Sequence, residues 1–315
     1  MKFVTYRHDA EVRSGVLDGG DRIHPLGGGE GLVRLLEAPG RLEHSGADAL
    51  SREEGVLELG SVQLMAPIPN PPTIRDFMTF ESHFQGCRGP ANPIPPQWYE
   101  VPRFYFTNPY AVIGPSDPVP VPPGSSMFDL ELEVACVIGA AGSDLDPEEA
   151  ENHIFGYTIL VDWSARDLQI DEMQVGLGPA KGKDTATTLG PVLVTADELE
   201  PYRRGTSFSV QMRAEINGKL LGTDRLDNMA FSFGDMVAYA SRGTEVRPGD
   251  VLGSGTCGNG CLAEMWGRYG FDDYPALKAG DIVSVAVEGI GAMNLNIVAG
   301  VEQKPIRPAR RGSPA

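Results

Sequence analysis

The sequence predicts a mixed, mostly β (α+β) protein, and three observations predict it. Six runs of strand-favouring residues, FYFTNPYAVIG, FDLELEVACVIG, HIFGYTILVDW, GPVLVTA, FSVQMRAEING and DIVSVAVEGIGAMNLNIV, dominate the chain after residue 100. Helical patterning is confined to short pieces between them, which argues against an alternating α/β wind. The stretch PIPNPP at 67–72 continues neither helix nor sheet and reads as a stiff connector, so a small N-terminal β-rich domain over 1–64 is expected, followed by a larger domain over 65–300.

Taken in order, KFVTY, SGVLDG, DRIHPL and SVQLM are short apolar alternations broken by Gly and Asp, with one helix expected around GLVRLLEA. GGG at 27–29 is a turn, because no lysine or strand-to-helix context follows to make it a phosphate loop. Between the later strands, DPEEAENH, SARDLQIDEMQ and SFGDMVAYASR carry helical patterning. The tail over 301–315 is basic and proline-rich and is expected to be flexible.

Composition bounds the function. With 41% hydrophobic and 22% charged residues, the 315-residue chain has the make-up of a globular protein. A net charge of -17 excludes a non-specific hold on nucleic acid or anionic lipid, so an acidic ligand needs a local cluster of Lys and Arg. The opening MKFVTYRHDAEVRSG lacks the apolar core of a signal peptide, and no stretch reaches the length of a membrane span. The expectation is a cytoplasmic protein with neither nucleic acid nor membrane as partner. The four cysteines fit a reducing compartment. Cys257 and Cys261 lack a matching second pair, and Cys87 and Cys136 stand apart in sequence, so buried small side chains are expected rather than a zinc site.

Chemistry gathers around FDLELEVACVIG, residues 128–139. Alternation along a strand places Phe128, Leu130, Leu132, Val134, Cys136 and Ile138 on one face and Asp129, Glu131 and Glu133 on the other. A solvated face is the ordinary reading, but that face continues as Ala135 and Val137, so the acids stand where the strand enters a core. Like charges so placed repel, and a hard divalent cation is one partner that holds them. In IFGYTILVDWSARDLQ, Asp162 ends an apolar strand, where the default role is a helix cap, with Arg166 and Gln169 expected on one helical face with it. Lys181 and Lys183 lie in the glycine-rich loop GPAKGKDTATTLGP, where one turned inward would balance the acids. His83, one of five histidines, sits near Asp76 and Glu81 in RDFMTFESHFQG.

Together, DFMTFESHF, FDLELEVACVIG, GYTILVDWSARDLQ, GKDTATTLGP and GDVLGSGTCGNGCLAEM, in this order, resemble the fumarylacetoacetate hydrolase family over about residues 60–300. The resemblance implies a β-roll or sandwich catalytic domain and a homodimer. It implies that Asp76, Glu131, Glu133 and Asp162 hold a divalent cation, Mg²⁺ foremost with Ca²⁺ or Mn²⁺ as alternatives, with Lys183 and Thr187 close by. It implies His83 as catalytic base paired with Glu264, with Glu81 as a competing partner. Arg166, Gln169, Lys183 and Thr256 are implied to bind a small oxo acid. Four carboxylates, a divalent ion, Lys183 and Arg166 balance to neutrality, which agrees with that set. Metal-dependent hydrolysis of a carbon–carbon bond in a β-diketo or oxo acid is then expected, with isomerisation, decarboxylation or hydration as alternatives. A binding protein with a structural ion is the non-enzymatic reading. The segment CRGPANPIPPQWYEVPRFYFTNP is expected to form a pocket wall or lid, with Trp98, Tyr99 and Arg103 as candidate ligand contacts and plain packing as their ordinary role.

Overall fold

The computed structural model describes residues 1–310. Residues 301–310 are exposed and belong to no helix or strand, and the remainder of the expected tail, 311–315, lies outside the described residues.

The mixed, mostly β architecture expected from the strand-like runs is what the chain adopts. One twelve-stranded sheet carries the strands Ile154–Asp162, Leu132–Ile138 and Thr187–Thr195 at its centre. Leu132–Ile138 is followed outward by Val251–Gly253, Ile74–Phe77 and Phe104–Thr107. A second sheet of five strands, including Gln211–Ile216, Ile282–Val287 and Gly291–Val298, packs its apolar face onto the first. The first strand, Lys2–His8, pairs antiparallel with both Glu11–Leu17 and Thr187–Thr195, so the sheet runs without a break from the N-terminal strands into the rest of the chain.

The strand Leu132–Ile138 is buried on both faces. Val134, Cys136 and Ile138 enter one core, and Ala135 and Val137 enter another with Phe3, Val16 and Leu160. No wet face exists there, which removes the ordinary explanation for its acids.

Three helices of eight or more residues were not legible in the sequence. Arg41–Leu50 follows Gly40 in the left-handed conformation and buries only Leu42, Gly46 and Ala49, a face too small to give a strong apolar stripe. Glu81–Arg88 and Leu262–Tyr269 have eight residues each and bury polar groups, His83 and Glu264, where a helix pattern calls for apolar ones. These two helices lie against each other with no room for a side chain at Gly86 or Gly267. A Cβ on Gly86 would meet Glu264 Oε2 at 2.8 Å, and one on Gly267 would meet the Gly86 carbonyl oxygen at 2.6 Å.

Candidate functional site

Strand register builds the site. Asp162 pairs with Thr187, Leu132 with Val161, Gly253 with Asp76, and Asp76 with Tyr105. The ends of adjacent strands therefore bring Asp162, Thr187, Glu133, Asp76 and Tyr105 into one row at one end of the sheet. Gly253 belongs to that row because a Cβ there would meet Glu133 Oε2 at 2.7 Å and Asp76 Oδ1 at 2.9 Å. Asp76, Glu133, Asp162 and Thr187 are at most 2% exposed.

The buried oxygens Asp76 Oδ1, Glu133 Oε1, Asp162 Oδ1 and Thr187 Oγ1 have no hydrogen-bond partner. An unsatisfied buried carboxylate oxygen is costly, and three of them in one row fit a hard cation that takes oxygen ligands. Glu131 differs from the other three. Arg166 Nη2 donates to its Oε1 at 2.6 Å, and Lys183 Nζ donates to its Oε2. Lys183 Nζ also donates to Asp162 Oδ2 and Ser164 Oγ, each at 2.6 Å. An ammonium has three protons, so all of its donors are committed. Lys181 turns outward and pairs with Asp184 at 2.6 Å.

Tyr105 was missed in the sequence, where it is one aromatic among several in FYFTNP. Its hydroxyl lies 2.8 Å from Asp76 Oδ2 and also bonds to Asp162 Oδ2. A hydroxyl carries one proton, so it bridges two carboxyls only when one of them is itself protonated. The electrostatics agree. Burial, with Asp76 and Glu131 adding to it and Lys183 opposing, pushes Asp162 up to about 8. Burial also raises Asp76, and burial with the surrounding acids raises Glu133 well above the carboxylate range. Glu131 goes the other way, because Arg166, Lys183 and His83 outweigh its burial.

These shifts fix a pH dependence. A carboxyl whose pKa is raised by folding holds more protons in the folded than in the unfolded chain, so stability falls as pH rises through that interval. Without divalent cations the melting temperature is expected to fall between about pH 5 and the value of about 8 set by Asp162. Saturating Mg²⁺ needs the ionised carboxylates and is expected to raise the melting temperature more at the upper end than at the lower. Thermal denaturation across this range checks it, and a flat profile without cation contradicts the crowding argument.

Asp129, the third acid of FDLELE, does not join the row. It is fully buried and accepts from the backbone amides of Leu262 (2.7 Å) and Ala263 (3.0 Å), capping the helix that carries Glu264. The same carboxylate accepts from Arg166 Nε at 2.9 Å and Nη2 at 2.7 Å. Asp129 therefore claims part of the charge that the sequence-based balance assigned to the four other acids. Removing one member of a buried pair typically costs about 3–5 kcal/mol, so Asp129→Ala is expected to lose about that much stability in urea denaturation. A loss under about 1 kcal/mol would contradict the capping role.

His83 Nδ1 lies 3.0 Å from Glu264 Oε1, and Nε2 lies 3.9 Å from Glu131 Oε1. Glu264 is fully buried and is held by the Asn259 amide and by Arg268 Nη2 at 2.7 Å. Glu81 is exposed and accepts from the Tyr99 hydroxyl at 2.6 Å, which leaves Glu264 as the carboxylate in hydrogen-bond contact with His83. Burial opposes charge on the His83 imidazole, but its anionic surroundings outweigh this and raise its pKa. Cys261 lies against the ring, yet burial pushes its own thiol well up, so it is neutral and Glu264 and Glu131 are the anions that hold the proton.

A cavity of about 560 Å³ opens onto Asp76, His83, Glu131, Arg166, Lys183 and Thr256. Gln169 also faces it, and its Oε1 accepts from Arg166 Nη1 at 3.1 Å. Trp98 and Arg103 form part of its wall, with Trp98 Nε1 fixed to the Met78 carbonyl at 2.8 Å, whereas Tyr99 is 52% exposed and turned to Glu81. A cavity of about 600 Å³ elsewhere, between Met1, Pro39 and His153, has no comparable convergence of buried charge.

Residues 73–298 match the family model for the C-terminal domain of fumarylacetoacetate hydrolase. The chain belongs to the fumarylacetoacetate hydrolase family. The mitochondrial oxaloacetate tautomerase of Xenopus laevis is 33% identical over 253 residues, covering 79% of this chain and 73% of that protein. The solved fumarylacetoacetate hydrolase of Exiguobacterium antarcticum is 26% identical with a TM-score of 0.73, over 95% of this chain and 99% of that one. Maleylpyruvate hydrolase from Sphingobium sp. SYK-6, solved with manganese(II) and pyruvate, shares the fold with a TM-score of 0.73 at 22% identity, over 96% of this chain and 100% of that one. The fumarylacetoacetate hydrolase family to which this chain belongs contains enzymes, both hydrolases and isomerases or tautomerases.

Besides Tyr99, two further expectations from the sequence are corrected. Asp162 caps no helix: it ends its strand, and the helix Arg166–Gln174 starts after Ala165, so only Arg166 and Gln169 share a helical face. Cys87 does not stand apart in space, because the packing of the two short helices brings it beside His83 and Cys261. Among the described residues no helix is long and apolar enough to cross a membrane.

Proposed function

We propose that this chain is a metal-dependent enzyme that cleaves a carbon–carbon bond of a small β-diketo or oxo acid by hydrolysis. The observation that carries the proposal is the row of three unpartnered carboxylate oxygens, of which the Asp76 member belongs to a residue lining the cavity that His83 also lines, with Glu264 behind the histidine. Asp76, Glu133 and Asp162, with Glu131 beside them, would hold a divalent cation, and oxygen-only donors favour Mg²⁺, with Ca²⁺ or Mn²⁺ as alternatives. Such an ion would supply Lewis-acid polarisation of a substrate carbonyl and, by its charge, would lower the affinity of nearby His83 for its proton.

The chain's own groups then have distinct tasks. Glu264 accepts Nδ1–H of His83, which fixes the ring and leaves Nε2 to take a proton from water. Arg166 and Gln169 present a guanidinium and an amide to the cavity for the carboxylate or developing oxyanion of the substrate, a contribution of typically about 3–4 kcal/mol per donor. Thr256 lies on the same wall as a further substrate contact. Lys183, with its protons committed, holds Glu131 and Asp162 in place against their repulsion.

A second reading, oxo–enol tautomerisation, is favoured by the 33% identity to the Xenopus laevis tautomerase. It uses the same base and moves a proton between carbon and oxygen with no attacking water. Assay with Mg²⁺ against acylpyruvates, fumarylacetoacetate and oxaloacetate separates the two. Two carbon fragments are expected for hydrolysis, while a change of the enol absorption with no fragments transfers the assignment to tautomerisation.

A further inference from the structure

We infer that His83, Cys87 and Cys261 form a second cation site, selective for a thiophilic divalent ion such as Zn²⁺ and distinct in its donors from the carboxylate row. His83 and Cys87 are four residues apart on the helix Glu81–Arg88, so they share one face. Cys261 stands immediately before the helix Leu262–Tyr269, and the glycine contact between the two helices brings its sulfur to that face. One ligating atom from each residue lies within 4.8 Å of the other two.

The three donors lie close enough for side-chain rotation to close a tetrahedral site around one ion. Zinc bonds of about 2.3 Å to sulfur and about 2.0 Å to nitrogen, at a tetrahedral angle, place sulfur and nitrogen about 3.5 Å apart. Cys87 Sγ is 3.8 Å from each ring nitrogen of His83, and Cys261 Sγ is 3.7 Å from Nδ1. With Nδ1–H donated to Glu264, Nε2 is the nitrogen free to ligate, and rotation of the Cys261 side chain, whose sulfur lies beside Nδ1, brings that sulfur to the same ion. Two sulfurs and one imidazole leave a fourth position for water, the donor set of an open Cys₂His site. Soft thiolates draw Zn²⁺ or Cd²⁺ and discriminate against Mg²⁺, whereas the oxygen row suits the hard Mg²⁺. Cys87 is exposed and gives the ion a way in, while His83 and Cys261 are buried. Binding releases the two thiol protons to solvent as two metal–sulfur bonds form. Because the ion takes the His83 nitrogen, it also stops turnover, and this consequence alone rests on the function proposed above.

The test uses the full chain, reduced with a phosphine and saturated with Mg²⁺ so that the carboxylate row does not compete. Titration with CdCl₂ is expected to give an ultraviolet thiolate-to-metal band that saturates at one equivalent and is displaced by ZnCl₂. Cys87→Ser and Cys261→Ser should each lose the band, and Cys136→Ser should keep it. Zinc should inhibit the wild type at least about tenfold more strongly than Cys87→Ser, with EDTA followed by Mg²⁺ restoring the rate. No band at one equivalent, or a band that survives in Cys87→Ser, overturns the site. A band lost in Cys87→Ser together with turnover that zinc leaves untouched upholds the site and counts instead against His83 as the base.

Discussion

Replacing Glu133 by glutamine is expected to stabilise the protein in the absence of divalent cations and to abolish its response to them. Glu133 is fully buried, its Oε1 has no partner, and its Oε2 accepts from the Gly255 amide at 3.0 Å. Burial first, and then Asp76, Glu131 and Asp162, raise its pKa far above the carboxylate range. Near neutral pH the cation-free fold must keep this group protonated, at a cost of about 1.4 kcal/mol for each pH unit above the unfolded pKa. Glutamine keeps the shape and removes that cost, so the gain should grow as pH rises. It also removes a charged oxygen from the row that would hold the ion. At a Mg²⁺ concentration of about a hundred times the dissociation constant the wild type gains about 2.7 kcal/mol, and the variant should gain nothing measurable. Turnover should fall to background with it. Melting curves with and without MgCl₂ decide the matter, and a variant that keeps the wild-type increment would show that the acids do not form a cation centre.

The second large effect is expected at His83. His83→Ala should lower turnover by about 10²- to 10⁴-fold while the Mg²⁺-dependent rise in melting temperature stays at the wild-type value. The fold should survive the change because Glu264 keeps its other partners, the Asn259 amide and Arg268. Loss of both turnover and the Mg²⁺ response would place His83 among the groups that organise the carboxylates. Turnover within about tenfold of the wild type would assign the proton transfer to another group.

Much of the fold was legible because strand alternation is a local property. The runs FDLELEVACVIG and HIFGYTILVDW became the neighbouring strands Leu132–Ile138 and Ile154–Asp162, and the three helices read between the later strands lie where their patterns put them. The helices that carry His83 and Glu264 were not legible. Each has only eight residues, short of the roughly 11-residue window in which a helical period can be read, and the polar groups they bury meet only through the packing of one helix on the other. For the same reason Asp129 could not be told from Glu131 and Glu133 by its spacing. All three share the alternation, and only the approach of Leu262–Tyr269 turns Asp129 into a helix cap and the anchor of Arg166.

The sequence by itself determined which residue types were available: acids entering an apolar strand, a lysine in a glycine-rich loop, a histidine with acids nearby, and an ordered set of motifs that resembled one family. These depend on neighbours in the chain. Tertiary structure decided which of those groups meet. Register across adjacent strands placed Asp76, Glu133, Asp162 and the unanticipated Tyr105 in one row, and helix packing chose Glu264 over Glu81 for His83 and drew Cys87 to Cys261. Such meetings join residues as much as 181 positions apart. The free energy that fixes them comes from burying the sheet and the helix pair, which no window of sequence contains.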